Sequence, residues 1–392
     1  REERAKMFPP ANTPHSQRTI VASTDARALG LTLEQTGAPP PGSVVAIREE
    51  GQELVHPTEV YAMLTADLGA WVKKYAPTAS VILNLEQFNE GDRANAFGLH
   101  QLHFFPGKNQ DFETTHVITP RELPAFAKYG YSDPKTALGL VGGLSHEFGH
   151  LLRWEGFRGG LIETHGVDFA NRMMKGIEER TLTPEDLAEL QAKSPKEAAL
   201  VTEWQGKRAR LMSGEMTATQ FIEEWVGLRK LGESVARDLG ENKSLYEWAD
   251  NRLKRLGLSR DGATARELLV GKPENGAKYS LAQQKELARY GEFNEYMAEQ
   301  FTRYSYLKGD ILRSRFGKYF ADTMERLRAL FKDLKTQGGA PGKTIIPPGV
   351  AFADWMDQQT LRAKFMQKGV TGRFKFSKEL QEAQRQIAVA RL

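Results

Sequence analysis

The sequence contains no cysteine, and this absence excludes several classes of site at once. Without thiols the chain cannot form a disulfide scaffold, a cysteine-ligated zinc finger, an iron–sulfur cluster or a cysteine nucleophile. Any metal ligands must therefore come mainly from histidine and carboxylate side chains. That ligand set is typical of catalytic rather than structural zinc sites.

Long apolar runs and a strong charge of one sign are also missing. No run approaches the roughly 18–20 apolar residues of a membrane span, and the N-terminal residues lack the apolar core of a signal peptide. Lys and Arg total 54 against 50 Asp and Glu, an excess too small to favour a nucleic-acid partner. We therefore expect neither a membrane segment nor nucleic acid, and the compartment is not indicated. Because the chain begins with Arg1 rather than methionine, we expect it to be a segment of a larger polypeptide.

Periodicity predicts a helix, then strands, then many helices, an order that favours the α+β class. Residues 1–58 are irregular and rich in proline turns, apart from one short strand over 43–48. A helix is predicted before the main strands and another after them. The predicted elements are a helix over 59–75, strands over 79–88, 96–105 and 114–119, a helix from Pro134, and helices over 293–308 and 316–335.

The motif that carries chemistry is His-Glu-Phe-Gly-His at 146–150, on the helix that opens at Pro134. Residues i and i+4 lie on one face of a helix, so His146 and His150 can bind one metal ion from consecutive turns. The intervening Glu147 can act as a general base on a zinc-activated water. We expect this helix to run through His150 to about Arg153, where the glycines that follow, at 156, 159 and 160, end it.

Catalytic zinc usually takes three protein ligands and keeps one open position for water. The metzincin pattern is excluded, because no histidine stands six residues after His150. His165, with Glu163 nearby, is one candidate for the third ligand. It follows the glycines, however, and we interpret it as a loop or capping histidine.

The other candidate is Glu295, on the predicted helix that also carries Glu299. Two acids at i and i+4 on a partly apolar helix are costly unless they are paired or metal-bound. We therefore predict that Glu295 binds zinc. Glu299 would hold the outer nitrogen of a ligand histidine, His146.

These two motifs, His-Glu-Phe-Gly-His and Asn-Glu-x-x-Ala-Glu-x-Phe from Asn294, resemble the catalytic domain of anthrax lethal factor and its relatives. That family belongs to the gluzincin group, which includes thermolysin. The resemblance implies that Glu295 is the third zinc ligand and that Glu299 matches the later acid of the family motif. It also implies that the Tyr290 phenol stabilises the oxyanion, although the gap from Tyr290 to Glu295 is shorter than in lethal factor. Tyr304 and Tyr306 are the alternative sources of that phenol.

The resemblance further implies a zincin-like metallopeptidase core, with a small mixed sheet and an active-site helix. A large helical insertion would interrupt this core. The predicted parts are an N-terminal extension over 1–58, a first core half over 59–165, a helical insertion over 166–289, a second core half over 290–336, and a C-terminal loop and helical tail over 337–392.

The predicted function is that of a zinc-dependent endopeptidase with one Zn²⁺ per chain. His146, His150 and Glu295 would bind the ion, with Glu147 as general base and Tyr290 at the oxyanion. The substrate would be a protein or peptide bound in extended form against a strand over 96–105 or 114–119. The alternative is a catalytically silent zincin-fold module of a larger polyprotein, in which the helical insertion provides a binding or structural function.

Overall fold

The computed structural model describes part of the chain, and all structural statements refer to that part. The described residues are 18–23, 44–49, 68–84, 98–106, 112–120, 134–226, 250–251, 253–254, 257–260, 262–270, 289, 291–308 and 347–369. The chain divides into two compact units. The first comprises Arg1–Lys128, Gly159–Ala170 and Gln359–Leu392, and the second comprises Tyr129–Arg158 and Asn171–Gln358.

The described strands belong to the first unit. They are β1 (Arg18–Ser23), β2 (Val44–Glu49), β3 (Ser80–Asn84), β4 (Gly98–Pro106) and β5 (Phe112–Pro120). Their backbones pair in the order β1-β2-β3-β5-β4. The β1–β2 and β4–β5 pairs are antiparallel, whereas β3 pairs in parallel with β2 and β5. Of the two strands predicted to pair with a substrate, β4 therefore lies at an edge of the described strands and β5 does not.

Helices form most of the rest of the described chain. They are α1 (Pro134–Leu152), α2 (Gly159–His165), α3 (Val167–Glu179), α4 (Pro184–Lys193), α5 (Pro195–Ser213), α6 (Ala218–Phe221), α7 (Ala265–Val270), α8 (Phe293–Lys308) and α9 (Val350–Gly369). Residues 68–75 are also helical, and π-helical turns occupy Arg153–Arg158 and Ile222–Val226. None of the described helices is long and apolar enough to cross a membrane.

The predicted α+β zincin class is wrong for this chain. Among the residues whose side chains are described, 79% are helical and 6% are in strands, and these residues by themselves form no sheet. The described part of the chain is mostly helical because most residues from α1 to 226 are helical, and because α9 adds a long helix to the predicted tail.

Local sequence signals explain several helix boundaries. Thr183 caps α4: its Oγ1 accepts a hydrogen bond from the Asp186 N–H (3.1 Å), and Asp186 Oδ2 accepts one from the Thr183 N–H (3.2 Å). This reciprocal pair satisfies two N–H groups that a helix start leaves without partners. Proline occupies the first position of α4 and α5, where its missing N–H costs nothing.

The glycines after the His-Glu-Phe-Gly-His motif do not end the helical course, contrary to expectation. The chain passes through a π-helical turn, which contains Gly156, and continues into α2. The helical course stops at Gly166, which has φ +84° and donates its N–H to the Ile162 carbonyl (2.9 Å). A positive φ suits glycine and ends helices. His165 is therefore the last residue of a helix rather than part of a loop.

The core of the second unit is built around α1, α5, α8 and α9, which supply its large apolar side chains. Phe148 of α1 packs on Phe301 of α8 with ring centroids 6.1 Å apart, and Phe352 packs on Trp355 within α9 at 5.7 Å. All four side chains are fully buried. The predicted helix over 316–335 lies outside the described residues.

Candidate metal centre

Helix α1 presents the two motif histidines side by side. The ring centroids of His146 and His150 are 4.8 Å apart and the rings are nearly perpendicular. This arrangement follows from the i, i+4 spacing, which stacks the two residues on one helix face. His146 is buried and His150 is partly exposed.

Helix α8 brings Glu295 to this histidine pair. Glu295 Oε2 lies 3.1 Å from His146 Nε2, and Oε1 lies 3.7 Å from His150 Nε2. One ligand atom from each of the three residues lies within 4.8 Å of the others. The three residues that the sequence predicts as ligands thus form one group that could hold a metal ion, although Glu295 lies 145 positions after His150.

The two helices can approach closely because Gly149 stands at their crossing. A Cβ atom at Gly149 would lie 2.3 Å from Ala298 Cα and 2.9 Å from the Ala298 carbonyl oxygen. Real Cβ atoms do not come so close to backbone atoms, so the crossing requires glycine. Gly149, the fourth residue of the motif, therefore has a packing role: it lets the Glu295 helix come within reach of the histidines.

Asn294 orients the second histidine, a role that the sequence analysis did not assign. Its Oδ1 accepts a hydrogen bond from His150 Nδ1 at 2.8 Å. With the proton on Nδ1, the lone pair of Nε2 faces Glu295 and is available to a metal ion. The only signal in the sequence was a short amide side chain directly before the predicted ligand.

The donor set fits zinc. Two imidazole nitrogens and one carboxylate form a ligand set found at catalytic zinc sites, and histidine ligands commonly donate their other nitrogen to a second group. The side chains of His146, His150 and Glu295 are 4%, 10% and 19% exposed. The group is thus sheltered but reachable from solvent on the Glu295 side.

Other acids surround this group. Glu147 is buried on α1 beside His146. Glu292 precedes α8, and partial burial, reinforced by the negative charge of Glu295, raises the pKa of its carboxyl group. The charges of Arg153, Arg180 and Arg289 act in the opposite direction.

The second acid of the α8 motif has a clear partner. Glu299 Oε1 accepts a hydrogen bond from Arg303 Nε at 3.2 Å, and both side chains are buried. Arg303 also donates through Nη2 to the Glu223 carbonyl at 2.6 Å. The predicted role of Glu299 as the partner of His146 stays a prediction.

The alternative third ligand occupies a different setting, within the first unit. The Glu163 carboxylate pairs with Arg362, with Oε1–Nη2 at 2.7 Å and Oε2–Nε at 3.1 Å. The ring of His165 packs against Phe169 with centroids 5.2 Å apart. Among the described residues, the group that could hold a metal does not include His165.

The tyrosine proposed for the oxyanion cannot be placed, because Tyr290 lies outside the described residues. Of its two alternatives, the Tyr304 hydroxyl donates to Asp357 Oδ1 at 3.0 Å and its side chain is buried. The side chain of Tyr306 is outside the described part of the chain.

Comparisons with protein-family profiles, with curated proteins and with solved structures each gave no match to this chain. The geometry of the candidate metal centre and the motifs themselves are therefore what points to a function.

Proposed function

We propose that this chain is a zinc-dependent endopeptidase of the gluzincin type, similar to the lethal factor family. The observation that carries the proposal is the convergence of His146, His150 and Glu295 from two helices, with ligand atoms within 4.8 Å of one another. The hydrogen bond from His150 Nδ1 to Asn294 supports it, because metal-binding histidines usually have such a partner.

In this proposal His146, His150 and Glu295 hold one Zn²⁺. When bound, zinc supplies Lewis acidity that lowers the pKa of a coordinated water to about 7. Glu147, one residue from His146 in the motif, accepts the proton from the attacking water and then delivers it to the leaving amine. A tyrosine phenol, from Tyr290 by the family resemblance, donates a hydrogen bond to the oxyanion.

The substrate is proposed to be a protein or peptide bound in extended form. An exposed strand edge can pair with such a segment through its backbone, which gives affinity without dependence on sequence. Specificity would then come from the side-chain pockets around the scissile bond.

The test compares wild type with Glu147→Gln on a denatured proteome, with mapping of newly formed chain termini. We expect about one zinc per chain by elemental analysis in both proteins, and cleavage only by wild type. The change keeps the side-chain volume but removes the base, and loss of a positioned general base typically costs about 10²–10⁴-fold in rate.

Glu197→Gln is the matched control. Glu197 is a buried glutamate on α5 whose Oε1 accepts from Trp355 Nε1 at 3.2 Å, and glutamine keeps that acceptor. This variant should retain both zinc and cleavage. Equal cleavage by Glu147→Gln would refute the mechanism. Zinc binding without any cleavage by wild type would instead favour the silent binding module.

A further inference from the structure

Tyr296, the residue after the predicted zinc ligand Glu295, is held from a different side of α8. Tyr296 is buried, and its hydroxyl donates to Glu203 Oε1 on α5 at 2.7 Å. Neighbouring residues on a helix point about 100° apart, so Tyr296 is directed towards α5 while Glu295 reaches the histidines of α1. A phenol ionises only at about pH 10, so the Tyr296 hydroxyl is a donor at neutral pH.

Helix α5 makes a second contact just before α8. The indole Nε1 of Trp204 donates to the Gly291 carbonyl at 3.2 Å, and the Trp204 ring packs against Phe293 with centroids 5.4 Å apart. Contacts from α5 therefore fix the backbone at Gly291, before Glu295, and the side chain of Tyr296, after it. Glu295 lies between these two contacts and has little freedom to move along or around the α8 axis.

The same Glu203 carboxylate also binds the start of α9. Its Oε2 accepts the Ala351 N–H at 2.9 Å, and the preceding Gly349 donates its N–H to Gln300 Oε1 on α8 at 2.6 Å. These are N–H groups that the first turn of a helix leaves without intrahelical partners. Space here is tight, since a Cβ at Gly349 would lie 1.6 Å from Glu203 Oε1. Lys207 Nζ, 3.5 Å from the same oxygen, balances the charge.

We propose that Glu203 and Tyr296 are positioning residues for the zinc ligand Glu295. Glu203 belongs to the segment that the sequence assigned to an insertion, so the inferred role makes that segment part of the metal centre. The Tyr296–Glu203 hydrogen bond fixes the rotation of the first turn of α8, and this places the Glu295 carboxylate against both histidine Nε2 atoms before metal arrives. The inference rests on the proposed zinc site.

The test is Tyr296→Phe, with Tyr304→Phe as the matched control. Both changes remove one buried hydroxyl from α8 that donates to a carboxylate, Glu203 at 2.7 Å or Asp357 at 3.0 Å. Only Tyr296 adjoins the ligand. Zinc affinity is measured by competition with a chromophoric chelator, and thermal unfolding is measured on the metal-free proteins.

Tyr296→Phe should weaken zinc binding about tenfold, the lower end of the effect of removing groups that orient metal ligands. Tyr304→Phe should leave the affinity within about twofold, while the two variants show similar melting temperatures without metal. In the cobalt-substituted proteins, only Tyr296→Phe should change the visible absorption bands of the metal. A purely structural role would lower the melting temperature without altering that spectrum.

Glu203→Gln is the second variant, for the case in which Tyr296→Phe does not fold. Glutamine offers one acceptor oxygen to two donors, the Tyr296 hydroxyl and the Ala351 N–H, so zinc affinity should again fall. Unchanged affinity and spectrum in the folded variants would overturn the inference alone. A wild-type protein that binds no zinc would overturn the proposed function and the inference together.

Discussion

Asn294 links the two helices of the candidate metal centre through a single hydrogen bond, 2.8 Å from its Oδ1 to His150 Nδ1. Asn294→Ala removes the acceptor, so the His150 ring loses both its fixed orientation and its preferred tautomer. We expect zinc affinity to fall about 10- to 100-fold, the usual cost of losing such a partner. Chelator competition measures this directly.

Two further variants serve as controls for that prediction. Asn294→Asp keeps an acceptor for the Nδ1 proton and should retain tight binding. Asn171→Ala removes another amide, which accepts from Arg158 Nη2 at 2.9 Å, and should leave zinc affinity unchanged. If Asn294→Ala binds zinc as well as Asn294→Asp does, the hydrogen bond is irrelevant to the metal.

The Glu299–Arg303 pair makes a separate prediction about stability. The two side chains are 7% and 1% exposed, so removing Glu299 leaves a buried guanidinium without its counter-charge. Glu299→Ala should lower the free energy of unfolding by about 3–5 kcal/mol, measured by urea denaturation of the metal-free protein.

The surface pair Glu163–Arg362 is the reference for that measurement. Its side chains are 36% and 24% exposed, and Glu163→Ala should cost only about 0–1 kcal/mol because solvent screens the charges. A similar small loss for Glu299→Ala would mean that Arg303 is compensated by other groups. The 2.6 Å bond from Arg303 to the Glu223 carbonyl is one such group.

Single residues were predictable where the chemistry dictates their spacing. The i, i+4 histidines follow from helix geometry, and the costly acid on an apolar helix pointed to Glu295. The partners Asn294 and Glu203 were not predictable, because a hydrogen bond between side chains distant in sequence leaves no periodic signal. Their identity depends on which helices pack together.

At the scale of elements, the crossing of α1 and α8 depends on the missing side chain of Gly149. Gly149→Ala puts a methyl group 2.3 Å from Ala298 Cα, and backbone atoms on both sides cannot yield as a flexible side chain would. The helices must separate, so we expect a loss of about 1–3 kcal/mol in unfolding free energy. Zinc affinity should fall as well, because Glu295 moves away from the histidines.

Gly206→Ala is the matched control for this prediction. Gly206 also lies inside a helix, α5, but a Cβ there would meet no atom within 4 Å. Alanine should therefore stabilise the protein by about 0.5–1 kcal/mol through its better helix propensity. The two Gly→Ala substitutions are thus expected to change the free energy of unfolding in opposite directions, and urea denaturation measures both changes. Stabilisation by both would show that the crossing can adjust.

Element boundaries were predicted best where a local signal marks them. The helix over 293–308 is confirmed in full by α8, and the helix start predicted at Pro134 is confirmed by α1. The end of α1 at Leu152 agrees with the expected end near Arg153, but the glycines after the motif do not stop the helical course. Glycine stops a helix reliably only where the backbone takes a positive φ, which here happens at Gly166.

At the scale of the whole molecule, local patterns did not determine the fold class. The α+β expectation came from strands placed before a helix, yet 79% of the residues with described side chains are helical. Periodicity predicts each helix or strand separately, but it does not show whether a segment predicted as an insertion or a tail packs into the core. Here α5 and α9 contact the helix of the predicted ligand Glu295 through Glu203 and Gln300, so those segments pack together with α8.

This packing predicts that zinc stabilises the whole second unit rather than the site alone. A ligand that binds only the folded state adds about 2.7 kcal/mol at a free concentration 100 times its dissociation constant. That corresponds to about 5–10 °C in melting temperature for a unit of this size. Differential scanning calorimetry of the protein with zinc and after EDTA treatment measures the shift.

The histidines give the controls for that experiment. His150→Ala removes a member of the predicted ligand group, so zinc should no longer raise its melting temperature. His165→Ala removes a histidine whose ring packs on Phe169 in the other unit, and it should keep the full zinc-induced shift. If instead His165→Ala abolishes the shift and Glu295→Ala preserves it, then zinc takes the alternative third ligand. The convergence of α1 and α8 would then serve packing alone.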